Sequence, residues 1–324
     1  MNVAFLHETR KVYIPLLRLL LPLVVIKEVW TIRNKQLGYF ELDHAFYDSN
    51  ALTDFLFHFL DTNNFVYLII ITFGLFASIG LFTRFTLFIF SLTSLFVFYF
   101  ENSFGIYNHE AGLSLQILFV LALCPGTENW SIDNVFFNRV PVSHFFTVST
   151  YHNWGVKLIL TLLVIGYTTA GVSKIRYGGV DWLNGETLSF YLSGQASFRG
   201  EPAQKFIPQT TNVDWKEENA LKAYTYGNFQ TNETLLQIGQ KISKSKLVMV
   251  GLSVFTVLFE VMAFLLLVNK PLRTIFLFTA IMFHLGIRFL MGLGFLDYQV
   301  ICISMIDWNY VSGKVAILKK GITG

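Results

Sequence analysis

A lysine amine takes a proton from an acidic substrate when it is neutral. A histidine, which titrates near neutrality, passes protons or donates to a developing oxyanion. This chain places both types where water is scarce. His109, Lys174, Glu260, His284 and Arg288 stand within, or at the ends of, long apolar runs. An ionisable group at such a depth is costly, so each is a candidate functional residue. His284 and Arg288 are four residues apart and share one helix face. Each also has a structural reading. Glu260 can neutralise His284 or Arg288 as a buried pair. His109 can bond a carbonyl at the interface, and Lys174, followed closely by Arg176, can be an ordinary basic flank. Arg18, Lys27 and Lys157 lie nearer the ends of their runs and read as snorkelling anchors.

The elements that must position these groups are membrane helices. Of 324 residues, 53% are hydrophobic and 17% aromatic, against 14% charged. Soluble domains carry about 25% charged residues. The mean hydropathy is +0.52. A net charge of +3 makes no basic footprint, which excludes nucleic-acid binding, and the composition excludes disorder. Cys124 and Cys302 both fall in apolar runs, with no CxxC pair and no metal-ligand set. The sequence predicts an all-α integral membrane protein, a polytopic bundle of about eight spans in one domain over 1–324. The spans are about 12–30, 65–82, 86–100, 111–124, 155–173, 247–268, 274–292 and 295–311. Continuous apolar runs such as 247–268 lack the alternation of barrel strands. The first run is not a signal peptide, since Arg18 interrupts it and Lys27-Glu28-Val29-Trp30 stands where a small-residue cleavage site belongs.

Basic residues set the expected orientation, with both termini inside. Arg10, Lys11, Arg84, Lys270, Arg273, Lys314, Lys319 and Lys320 then face the interior, whereas residues 101–110 hold Glu101 and Glu110 without a lysine or arginine. Residues 31–64 are expected along the outer interface. Residues 175–246 are expected as an outer cap, with amphipathic helices near Asn219–Tyr226 and Glu233–Ile242. This arrangement brings His109, Lys174, Glu260, His284 and Arg288 to the middle or outer half of one bundle.

Several short motifs share one order. Ala170-Gly171-Val172-Ser173-Lys174-Ile175 precedes Asp181-Trp182-Leu183-Asn184-Gly185; Gly80-Leu81-Phe82-Thr83-Arg84 joins two runs; Asn108-His109 opens another. Trp130-Ser131-Ile132-Asp133 follows, and Phe283-His284 precedes Met291-Gly292-Leu293-Gly294-Phe295. Together they resemble the horizontally transferred transmembrane (HTTM) domain family related to the vitamin K-dependent gamma-carboxylase, over roughly residues 10–311. The resemblance is to the short bacterial form, which lacks the carboxylase's large lumenal domain and includes a membrane component of a sporulation-delaying toxin system.

The resemblance implies quinol-driven chemistry at the outer face of a bacterial cytoplasmic membrane. Lys174 matches the lysine base, with His109 and His284 beside it. The implied cofactors are a reduced, vitamin K-like quinone with O2 and CO2, and no metal. Asn108, Trp182 and Arg288 are the expected cofactor contacts, though Trp182 also reads as an interfacial anchor. Ser173 departs from the carboxylase, which has a lysine immediately before its catalytic one. The implied partners are the lipid bilayer and a secreted peptide or small membrane partner. Three readings follow: a carboxylase-like enzyme that modifies a secreted peptide, a non-catalytic protein for maturation or export of a toxin-like peptide, and a quinone-linked redox subunit. The third needs a redox partner, because two cysteines and scattered histidines supply no haem or iron–sulfur ligands.

Overall fold

The computed structural model describes residues 8–9, 11–39, 49–62, 65–103, 109–193 and 230–322. Apart from a two-stranded antiparallel ladder, β1 (Glu8–Thr9) with β2 (Tyr151–His152), the described residues are helices and their connections. The organising helix is α1 (Tyr13–Tyr39). Its Ile14, Leu17, Leu21, Val25, Val29 and Ile32 recur at helical spacing and are almost fully buried. Around it pack α3 (Phe65–Ile79), α4 (Thr83–Ser103), α5 (His109–Leu123) and α14 (Leu296–Met305). A second group holds α7 (Trp154–Ser173), α11 (Lys246–Val261) with its continuation α12 (Leu265–Val268), and α13 (Lys270–Met291). Asn269 caps α13 by accepting from the Leu272 amide, Pro271 occupies its first turn, and Gly292 ends it at φ 69°.

Four helical stretches are long and apolar enough to cross a membrane: Thr83–Ser103, Trp154–Gly178, Lys246–Val268 and Lys270–Met291. A fifth counts if Ala51–Leu60 and Phe65–Ile79, bent by 93°, form one span. Against the expected eight spans, the described residues hold four or five. The other apolar runs fold as helices too, but Gly112–Leu123 and Leu296–Met305 are short, and α1 carries Arg18, Lys27, Glu28, Arg33 and Lys35.

One end of the bundle is closed by short helices: α8 (Gly179–Leu183) and α9 (Glu186–Leu192) pack with α10 (Glu233–Ser243) against α11 and α13. The expected helix at Asn219–Tyr226 lies outside the described residues. At the opposite end, α6 (Ile132–Phe136) and the segment up to β2 cover the turn between α3 and α4; α15 (Trp308–Ile322) follows α14 there. Helix α2 (Ala51–Thr62) packs on α4.

Arg18 does not snorkel. It is fully buried, and its guanidinium donates to the carbonyls of Ala77, Ser78, Asn129 and Trp130 at 2.5–3.3 Å. These are carbonyls at a helix end and a tight turn, which have no helical partner of their own. The Asp133 carboxylate accepts from the amides of Phe82 and Thr83 at 2.8 and 2.6 Å, so it caps α4 from another segment. Gly80, at φ 74°, must be glycine here because a Cβ would collide with Ser131 and the Arg18 guanidinium. The Gly80–Arg84 and Trp130–Asp133 motifs are thus two halves of one structural knot.

Candidate functional site

Helix α7 runs apolar until Ser173, then widens into a π-helical turn over Lys174–Gly178. Such turns displace one residue from the regular ladder and recur at functional sites. Here the turn begins at Lys174. Its ammonium donates to both carboxylate oxygens of Glu260 on α11, each at 2.8 Å. The lysine side chain is 20% exposed and the glutamate 7%. Glu260 lies fourteen residues beyond the start of α11 at Lys246, about 21 Å along the helix at 1.5 Å per residue.

Gly171 makes this approach possible. A Cβ there would stand 3.0 Å from the Glu260 Cβ and 3.0 Å from a Val261 methyl, so a neighbour would have to give by a few tenths of an ångström. The two helices meet backbone to backbone one turn before Lys174, which sets its amine opposite the carboxylate. The indole of Trp182 on α8 closes the other side, with the Lys174 nitrogen 5.4 Å from the ring centroid. Gly178 leaves room for that ring, since a Cβ there would overlap it.

A second polar cluster lies beside the first. Tyr167, seven residues before Lys174 and on the same helix face, bonds His284 on α13 through its hydroxyl and Nε2 at 2.7 Å. Cys302 of α14 is 3.9 Å from that hydroxyl. Phe259, the neighbour of Glu260, stacks on Phe276 at 4.5 Å between centroids and meets Tyr167 edge-on at 5.6 Å. Phe295 and Tyr298 flank the imidazole at 4.9 and 5.2 Å. The Nδ1 atom of His284 is buried without a hydrogen-bond partner in the structure.

Between α9, α11 and α13 opens an apolar cavity of about 300 Å³. Leu192, Leu252, Phe255, Met282, Phe283 and Ile287 line it, with Thr256 and Thr279 as its polar side chains. Phe255 and Phe283 both contact Phe259, so the same aromatic rings separate this cavity from the Tyr167–His284 cluster.

The HTTM domain model of a protein-family scan matches residues 7–211. This protein belongs to the HTTM family. The match spans more than half of the chain and includes Lys174, whereas Glu260 and His284 lie beyond it. No curated protein and no solved structure matches the chain. HTTM is a membrane domain related to the vitamin K-dependent carboxylases, and with its apolar helices this HTTM protein is an integral membrane protein. The family match does not extend to a toxin system.

The expected site residues separate as follows in the HTTM protein. Lys174 and Trp182 come together with Glu260. His284 joins the adjacent Tyr167 cluster through its Nε2 and does not bond Glu260, whose two oxygens meet Lys174. The expected pair of Glu260 with Arg288 is replaced by Glu260 with Lys174: Arg288 is exposed near the end of α13, while Glu260 is buried and gives both oxygens to the lysine. His109 begins α5, and its side chain and Asn108 lie outside the described residues. Tyr167 carries no signal of its own in the sequence beyond its spacing from Lys174. Among the described residues, no group of three or more His, Cys, Asp or Glu could hold a metal ion.

Proposed function

We propose that this protein is a carboxylase-like membrane enzyme that uses a reduced quinone to modify a secreted peptide, with Lys174 as the base. The observation that carries the reading is the Lys174–Glu260 pair, held between two spans and partly exposed on the lysine side. Burial strips hydration from both charges, so shifting one proton from the ammonium to the carboxylate, across 2.8 Å, exchanges an ion pair for a neutral amine and a neutral acid. The neutral Lys174 amine then has a lone pair for an incoming proton. Glu260 holds the displaced proton while the amine takes the substrate's; one proton then leaves to water on the exposed side of Lys174, which restores the ion pair. Trp182 screens the amine from water on one side.

The quinone fits the residues present. The cavity of about 300 Å³ is walled by aliphatic and aromatic side chains and lies between spans, as the tail of a lipid-soluble quinone requires. Leu252, Phe255, Met282 and Phe283 would hold that tail. When bound, a reduced quinone supplies electrons and an acidic phenolic proton.

Arginine at position 174 separates this reading from its alternative. A guanidinium preserves a bidentate pair with Glu260 but does not give up a proton near neutrality. The Lys174→Arg variant is expected to purify and melt close to the unaltered protein. Mass spectrometry of peptides secreted by expressing cells should show loss of any species heavier by one CO2. Full retention of the modification by Lys174→Arg would overturn the base assignment. If secretion depends on the protein but no peptide changes mass in either strain, the non-catalytic maturation or export role takes its place. That role draws on the fact that Glu260 already engages Lys174 with both oxygens.

A further inference from the structure

We infer that residues 136–146, on the face opposite the cap, form an aromatic apron that lies in the lipid headgroup–acyl boundary. Phe136, Phe137, Val142 and Phe146 are 61–75% exposed and sit within eleven residues of one another. Large apolar side chains gathered exposed in one short segment mark a contact surface. The occupant is set by continuity with the membrane-spanning surface. Phe137 meets Phe82 with ring centroids 5.8 Å apart, and Phe82 directly precedes the span Thr83–Ser103. Phe82 and Phe85 are themselves 58% and 61% exposed on the outside of the bundle. The apron therefore prolongs the lipid-facing surface of α4 outward by one ring.

Its depth is fixed by covalent and hydrogen-bonded ties. Asp133, three residues before Phe136, caps the first amides of α4, and Arg18 holds the carbonyl of Trp130. Trp130 in turn packs edge-on against Phe146 at 5.5 Å, which anchors the far end of the apron to the same knot. Polar residues alternate with the apolar ones: Asn138, Arg139, Ser143 and His144 are exposed, so the segment has groups for headgroups as well as for acyl chains. The inference is independent of the chemistry proposed for Lys174.

Cys124 and Cys302 are fully buried, so a single introduced cysteine can be labelled selectively. The full chain carrying Phe137→Cys, and separately Phe146→Cys, is labelled with a nitrobenzoxadiazole dye and reconstituted at one copy per lipid nanodisc. Blue-shifted emission, quenching by lipid with a nitroxide near the headgroup, and bleaching by aqueous dithionite at least fivefold slower than the free dye are expected at both positions. Water-like emission with bleaching at the free-dye rate would overturn the inference. So would protection that appears only when two copies share a disc, which would assign the apron to a second copy of the chain. Circular dichroism and a single elution peak confirm that each labelled variant is folded, so a negative result counts.

Discussion

Replacing Glu260 with glutamine tests the central contact by leaving the Lys174 ammonium without its counter-charge. At 2.8 Å the gross attraction is about 6 kcal/mol for an effective dielectric of 20. Desolvation of both ions cancels much of it, so the intact pair contributes little relative to a neutral replacement. Removing one partner is different, because the buried charge that remains keeps its desolvation cost. Such losses run to about 3–5 kcal/mol, and the 20% exposure of Lys174 places this one near the lower end, at roughly 3 kcal/mol. Lys174→Met should cost a similar amount. The double variant Lys174→Met with Glu260→Gln should recover most of the loss, falling well short of the roughly 6 kcal/mol that the two single losses would give by addition. Denaturation by SDS in bicelles, followed by tryptophan fluorescence, reads all four corners of the cycle. Additivity within about 0.5 kcal/mol would show that the two side chains do not depend on one another, and the contact would be refuted.

Arg18→Met removes the donor that the carbonyls of Ser78, Asn129 and Trp130 share, and leaves that of Ala77 with the Gly80 amide alone. A loss of at least about 3 kcal/mol is expected, seen as a collapsed monodisperse peak in size-exclusion chromatography, with Arg18→Lys intermediate. Gly171→Leu should push α7 from α11 at Glu260; cysteines placed across the two helices should then lose their crosslink, whereas Gly166→Leu, where a Cβ meets only the Tyr298 hydroxyl at 3.5 Å, should keep it. Asp307 gives a pH signature. Burial raises its carboxyl, but the Lys11 hydrogen bond at 2.9 Å, the Tyr310 amide and the charges of Lys11 and Lys270 outweigh that and hold it below the ordinary carboxylate range. A depressed carboxyl contributes stability that is full above about pH 4 and fades as pH falls through its folded value. The stability gap between the unaltered protein and Asp307→Asn, measured by the same denaturation, should therefore shrink below about pH 4.

Hydropathy alone made the helices visible, because lipid forces every backbone group to bond within its own segment. The short runs and the charged α1 show where that reading stops. Helix α1 tolerates its charges because it is the centre of the bundle, with Arg18 answered by carbonyls from two other segments, and composition cannot report who surrounds a helix. The same limit governs the site. Counting residues gives depth along a span, which correctly marked Glu260 as a group in need of a partner. It does not give the direction a helix face points, so His284 and Arg288 were the expected partners and Lys174 was not among them. The deciding information was local and small: Gly171 and the π-helical turn after Ser173, neither of which alters hydropathy. Tyr167 was invisible for a similar reason, since an aromatic residue in an apolar run gives no sign that its hydroxyl holds an imidazole.

The ion pair joins two parts of the chain with different standing in the family. Lys174 lies inside the segment matched at 7–211 and Glu260 outside it. A chimera built by grafting the second half of another HTTM protein onto residues 7–211 of this one would inherit the lysine without any assurance of its counter-ion. Only donors that present a carboxylate at the depth of Glu260, beside a glycine-sized gap, should yield a stable hybrid. The choice of donor is thus a screen for which members of the family hold their lysine in the same way.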